Sequence, residues 1–200
     1  MIPENLFIKY NAQLVHFPKG ETIVKEDTVP RFFFQIHKGE VKMMNLNEDG
    51  KEFVQGIFGA SQTFGEPPLF VGRNYPADAV ALTDVAIYCL PKEQLMILLN
   101  EHPEVAINLI ENLSKRLHYK SVMAVEIAFE NPEHRILKLI NYYVTYLNAP
   151  KEIQGYKIDL TRQQIADLTG LRVETVIKSV KKLEKEGEIK IIDRKIFFQI

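Results

Sequence analysis

Glu174, Lys178 and Lys181 stand on one side of a short amphipathic run whose other side is Val176, Val180 and Leu183, and a helix puts those two sets on opposite faces. Val173 falls on the outward side with them. On a helix lying in a DNA major groove, a carboxylate such as Glu174 accepts from cytosine N4, and an ammonium such as Lys178 donates to guanine O6 and N7. Taken alone, Glu174 and Lys178 read more simply as an i,i+4 surface ion pair. Their setting favours the groove. In the preceding TRQQIADLTG, Thr161 and Gln164 have capping-box spacing, Ile165 and Leu168 form an apolar face, small Ala166 permits close helix approach, and Gly170 sits where the chain must turn sharply. Beyond the second helix, EIKIIDRKIFFQI alternates Ile189 and Ile191, then Ile196, Phe198 and Ile200, about Asp193-Arg194-Lys195. That spacing predicts a hairpin wing with Arg194 and Lys195 as phosphate contacts.

Two earlier zones must position this constellation. From about residue 14 to 91 the chain is a series of short apolar or alternating runs, LVHF, TIVK, FFFQIH, VKMMNL, FVQGIFG and AVALTDVAIYCL. Turn signals separate them: Asp49-Gly50 as a hairpin turn, with Gly20, Gly39 and Gly59 as further turn positions. Such a pattern predicts an antiparallel barrel or jelly roll. From Pro91 to Leu147 the pattern is helical, with Asn131-Pro132 as a helix start. A helix over about 104–129 carries the stripe Ile110, Leu113, Leu117, Ala124 and Ile127, broken only by Lys120. Its heptad-like spacing and length favour a two-stranded dimer seam over a helix lying on its own barrel. After the loop NAPKEIQG, YKIDL reads as a short strand leading into the C-terminal pair of helices.

Composition excludes several classes. The chain is 46% hydrophobic and 26% charged over 200 residues, enough to bury a core and too little for a multidomain machine. The single cysteine, Cys89, cannot supply an intramolecular disulfide, a four-thiolate cluster or a cysteine-rich zinc site, which points to a reducing cytoplasmic setting. No apolar run approaches the roughly 18 residues of a spanning helix, so no membrane partner is expected. The net charge of −1 does not itself announce a nucleic-acid binder, but residues 159–200 carry +2 and the remainder −3. His16, His37, His102, His118 and His134 are scattered, leaving haem ligation open while reading as ordinary surface or hydrogen-bonded histidines; no metal site is expected.

The stretch LTRQQIADLTGLRVETVIKSVKKLEKEG resembles the C-terminal helix-turn-helix of the Crp/Fnr family of bacterial transcription regulators. FPKGETIVKEDTVPRFFFQIHKGEVKM resembles the opening strands of that family's cyclic-nucleotide-binding fold, FGEPPLF the start of its phosphate cassette, and KRLHYKSVMAVEIAF its long dimer helix. The likeness spans about residues 14–200. It implies DNA contact by Thr161, Arg162, Gln163, Arg172, Val173, Glu174, Thr175, Lys178, Lys181, Arg194 and Lys195. It also implies an effector region at Gly65, Glu66, Leu69, Arg73, Pro76, Ala77, Lys120 and Ser121. The chain departs from the family pattern at several of these positions. The cyclic-phosphate Arg-Ser pair falls on Pro76 and Ala77, with Arg73 three residues upstream as a substitute, and the purine-reaching Thr-Ser pair falls on Lys120-Ser121. The first recognition-helix Arg falls on Val173, the last on Lys178, and the helix-capping Ser on Arg172. The resemblance therefore implies an effector other than cyclic AMP bound in the family's manner, and an operator unlike the family's best-known site.

The expected fold is α+β: an N-terminal antiparallel jelly-roll or double-stranded β-helix barrel over 1–102, a long dimerisation helix over 103–130 and a winged helix-turn-helix over 131–200. The expected function is a dimeric, non-enzymatic DNA-binding regulator without a cofactor. Its expected partners are double-stranded DNA, a second copy of itself, a small-molecule effector and RNA polymerase. Two alternatives remain: a ligand-binding regulator acting on a protein partner, and a cupin-like barrel enzyme, which would need clustered metal ligands where the barrel zone has only His16 and His37.

Overall fold

The computed structural model describes the chain except Met1, Asp49, Lys51, Glu130, Asn148, Ile200 and the side chain of Phe129. It divides into two units, residues 1–112 and 113–200. Asp49 of the expected hairpin turn, Ile200 of the wing alternation and Glu130 of the helix-to-helix link lie outside the described residues.

In the first unit, α1 (Glu4–Lys9) precedes β1 (Gln13–Phe17), β2 (Thr22–Val24), β3 (Phe32–Lys38), β4 (Val41–Leu46), β5 (Glu52–Phe58) and β6 (Thr63–Phe64). The short α2 (Glu66–Val71) follows, then β7 (Asp78–Ala81), β8 (Val85–Pro91), α3 (Lys92–Glu101) and the start of α4 (Pro103–Phe129). Two four-stranded antiparallel sheets, ordered β1-β8-β3-β6 and β2-β7-β4-β5, face each other. Alternation explains what lies between them: Phe34, Ile36, Phe64, Ile87 and Cys89 from one sheet meet Val24, Val41, Met43, Ala79 and Ala81 from the other. Burial pushes the Cys89 thiol up to about 12, which makes it an inert core group. β8 is buried on both faces because its outer side is covered too, with Tyr88 stacked on Phe7 of α1 at 4.5 Å. Gly20 and Gly39 take positive φ as turn glycines, but Gly59 does not; its carbonyl accepts from Gln62, and Ser61 supplies the left-handed residue instead.

The second unit holds the remainder of α4, then α5 (Pro132–Tyr146), β9 (Lys151–Glu152), β10 (Gly155–Ile158), α6 (Arg162–Thr169), α7 (Val173–Lys185), β11 (Ile189–Ile192) and β12 (Lys195–Phe198). Asn131 caps α5 by accepting from the His134 amide at 3.1 Å. The residues expected to form a loop after α5 include β9, which pairs with β10 and completes a sheet ordered β11-β12-β10-β9. Its inner side closes on α5, α6 and α7 through Ile136, Leu139, Ile140, Ile158, Ile165, Val176, Val180, Leu183, Ile189 and Ile196. The C-terminal end of α4 is tied to α5 by Arg135, whose guanidinium donates to the carbonyls of Glu126 (3.3 Å) and Ile127 (3.2 Å). These are orphan acceptors of a helix end, and a cation there also favours the helix dipole.

Candidate functional site

The helix-turn-helix is built by local chemistry. The Thr161 hydroxyl accepts from the Gln164 amide at 3.1 Å, and the Gln164 side chain accepts from the Thr161 amide at 2.8 Å, closing both halves of the box. At the far end of α6, Gly170 has φ +69, and the amides of Gly170 and Leu171 both fold back onto the Ala166 carbonyl. Arg172 then precedes α7 with no side-chain cap, as its residue type dictates. Val176, Val180 and Leu183 are buried, and Glu174, Lys178 and Lys181 are exposed. No side-chain hydrogen bond or salt bridge joins Glu174, Lys178 or Lys181 to another described residue. The i,i+4 ion-pair reading of Glu174 and Lys178 is therefore not what the helix adopts.

Other expected contacts are placed differently. Val173 is half-buried against the C-terminal core rather than fully outward, because the first turn of α7 leans on that core. Thr161 is spent on the cap, and Thr175 is half-buried. Gln163 is exposed and donates to Asp167 at 2.7 Å. Arg162 is half-buried, and desolvation holds its guanidinium below the usual arginine value, partly offset by Glu184. The wing turns through two residues, not three: Asp193 and Arg194 have φ +47 and +67, the arrangement of a type I′ hairpin turn. Arg194 is exposed at the tip. Lys195 already belongs to β12, and its ammonium is hydrogen-bonded to Asp159, whose carboxyl is held below its ordinary value mainly by that bond. The pair is solvent-exposed and so contributes little to stability.

Sequence spacing missed what orients α7. Glu133, in the first turn of α5, accepts from the buried Ser179 hydroxyl at 2.6 Å and lies 3.6 Å from the Lys182 ammonium. The Ser179 bond is the main reason its carboxyl titrates below the usual glutamate value, against a desolvation cost. A serine on the buried stripe of an amphipathic helix was the available signal, but it names no partner.

In the first unit, Gly65 takes φ +74 at the start of α2, where an added Cβ would come 3.1 Å from the Tyr75 ring. Glu66 is 1% exposed and accepts from the Thr63 hydroxyl; Leu69 is fully buried and Arg73 exposed. Pro76 is exposed with its carbonyl accepting from Asn45 at 2.7 Å, and Ala77 lies in the core. Tyr75, which the sequence did not single out, is 3% exposed with a hydroxyl that lacks a partner; burial, then Glu66, pushes it up to about 12. The two remaining effector candidates belong to the second unit: Lys120 is exposed on α4, and the Ser121 hydroxyl donates to the Leu117 carbonyl at 3.0 Å. Among the described residues no group of three or more His, Cys, Asp or Glu could hold a metal ion, and no helix is long and apolar enough to cross a membrane.

Comparison with known proteins agrees with this division. Residues 14–102 match the model of the cyclic nucleotide-binding domain, and residues 134–199 match that of the Crp-like helix-turn-helix domain. The global nitrogen regulator of Synechocystis is 28% identical over 185 residues, 90% of this chain and 81% of that protein. The cAMP-activated global transcriptional regulator of Haemophilus influenzae is 27% identical over 180 residues, 90% and 80% of the two chains. In fold, the c-di-GMP responsive regulator CLP of Xanthomonas campestris superimposes with a TM-score of 0.73 at 20% identity, covering 98% of this chain and all of that one. Regulators of transcription, not enzymes, thus share both halves of the sequence, which sets aside the cupin-like enzyme and the protein-partner reading. The exposed face of α7 and the paired-sheet unit upstream fit the same assignment: the chain belongs to the Crp/Fnr family of transcription regulators.

Proposed function

We propose that two copies join along α4 and present their α7 helices to successive major-groove half-sites, with Glu174, Lys178 and Lys181 reading base edges and Arg172 and Arg194 contacting phosphates. The observation that carries this reading is the outward face of α7, where an acid and two lysines stand exposed and unpaired opposite a wholly buried stripe. Support for the dimer comes from α4. Over its 27 residues, about 40 Å of helix, Ile110, Leu117 and Ile127 are 58%, 67% and 49% exposed in the single chain. Apolar residues repeating at 3.5-residue spacing and left in water fit a self-complementary helix pair. RNA polymerase is the expected further partner and the cytoplasm the expected location.

Fluorescence anisotropy on duplexes recovered by in vitro selection tests the division of labour. Lys178→Ala should cost about 1–3 kcal/mol at one base position and relax preference there. Arg194→Ala should weaken all duplexes alike and lower the salt slope by about one. Equal losses across duplex variants in both proteins would refute it.

The effector is not a cyclic nucleotide gripped by its phosphate. Among the described residues of the first unit, the buried polar side chains are Gln35, Thr63 and Glu66, with no lysine or arginine among them. Neither the Pro76 nor the Ala77 side chain offers a donor where the family resemblance puts the phosphate grip. Cyclic AMP at millimolar concentration is expected to leave the thermal midpoint unchanged, whereas a ligand at 100 times its Kd would add about 2.7 kcal/mol. A clear upward shift would overturn this reading.

A further inference from the structure

The apolar stripe of α4 is interrupted once, and the interruption is a cation. Counting in heptads from Ile110, the inward positions are Ile110, Leu113, Leu117, Lys120, Ala124 and Ile127. The positions flanking Lys120 on the two sides of the seam are Ser114, Arg116, Ser121 and Met123. None is an acid. In a parallel pair those flanking positions are the ones that reach across to the partner helix, so none of them offers a carboxylate to either copy of Lys120. Within one protomer Lys120 is exposed and has no acidic partner among the described residues, and the nearby charge is the like charge of Arg116, one turn earlier. The neighbouring Ser121 hydroxyl is turned back onto its own helix, donating to the Leu117 carbonyl.

Joining two such helices brings two ammonium groups, each with a guanidinium one turn away, into a seam that is otherwise Leu, Ile and Ala. Like charges facing each other across a helix pair oppose association, the more so as neighbouring apolar groups displace water. One multivalent oxyanion between the two lysines converts that repulsion into two charge-assisted contacts.

We propose that the paired Lys120 side chains at the two-fold seam of α4 form a binding site for a phosphate-type oxyanion, and that the dimer assembles more tightly when it is filled. The inference rests on the α4 dimer proposed above. A lysine at one seam position can also serve only to fix register, and the test separates the two.

Sedimentation velocity of the full chain, in sodium chloride and in sodium pyrophosphate at matched ionic strength, reads the dimer dissociation constant. Pyrophosphate should tighten the wild-type dimer at least about tenfold over chloride, the value of one charge-assisted contact. Lys120→Leu completes the apolar stripe and should tighten the dimer at least about tenfold in chloride, while losing the pyrophosphate response. Lys120→Gln should lose the response without the apolar gain. An equal wild-type dissociation constant in both salts, or a response retained in both variants, overturns the anion site. Leu117→Lys checks the seam separately: if it dimerises like wild type, the dimer lies elsewhere and the reading beneath this one fails.

Discussion

Leu117→Lys is expected to yield a monomer whose affinity for selected duplexes falls by on the order of 10²–10⁴. Leu117 is 67% exposed on the α4 stripe, more than Ile110 or Ile127, so a protomer loses nothing of its own core when it is replaced. In the dimer each copy would bury a leucine worth about 1.5–3 kcal/mol, and both copies are lost together. The new lysine also lies one turn from Lys120 and next to Arg116, adding like charge to the seam. The larger consequence is indirect. Two α7 helices on one body bind as a linked pair, the second half-site meeting a high effective concentration; a monomer has one helix and one set of phosphate contacts. Light scattering gives the mass and anisotropy the affinity, and Leu117→Ile should keep both near wild type. A monomer binding the same duplexes with undiminished affinity would mean that one recognition helix suffices.

Glu133→Ala is expected to destabilise the C-terminal unit by about 2–3 kcal/mol, because it leaves the buried Ser179 hydroxyl without its ionised acceptor. It also releases Lys182 from a carboxylate 3.6 Å away. The wild-type contribution depends on pH with a definite sign. Since the folded carboxyl titrates below its ordinary value of 4.5, its stabilisation is fully present above that value and is lost as pH falls through the lower folded value. Glu133→Gln keeps a hydrogen-bond acceptor and should lose less, with no pH component from this site. Urea unfolding of the three proteins between pH 7 and pH 3 makes the comparison. A parallel pH dependence in wild type and Glu133→Gln would show that other carboxylates carry it. Because the Ser179 bond anchors the buried side of the helix that carries Lys178, the same substitution should also degrade discrimination between duplexes before it abolishes binding.

These two residues show how far the sequence could be read. Local chemistry was legible. The capping box at Thr161 and Gln164, the left-handed Gly170 and the weak cap at Arg172 depend on neighbours within a few positions, and each formed as its residue types require. So did the alternation that fills the space between the two sheets. Contacts between distant segments were not legible. Asp159 holds Lys195 from 36 residues away, and Glu133 holds Ser179 from 46. Ala77 is buried in the core of the paired sheets, and Val173 leans on the helical core instead of clearing it. Periodicity states which face of an element is apolar; it cannot state which segment will cover that face.

By itself the sequence determined the elements, the turns between them and the inward face of each, because dihedral preference and hydrophobic period act over one or two turns of chain. It also determined that one cysteine cannot supply the thiolates of a cluster, and that Pro76 and Ala77 stand where the resemblance would put an Arg-Ser pair. Only the tertiary structure decided which charges stand free and which are held. Lys195 and Lys182 have carboxylate neighbours, whereas among the described residues Glu174, Lys178, Lys181 and Arg194 have no oppositely charged partner. Pairing depends on a few ångströms of separation between residues tens of positions apart, and packing of the folded core is what sets those separations.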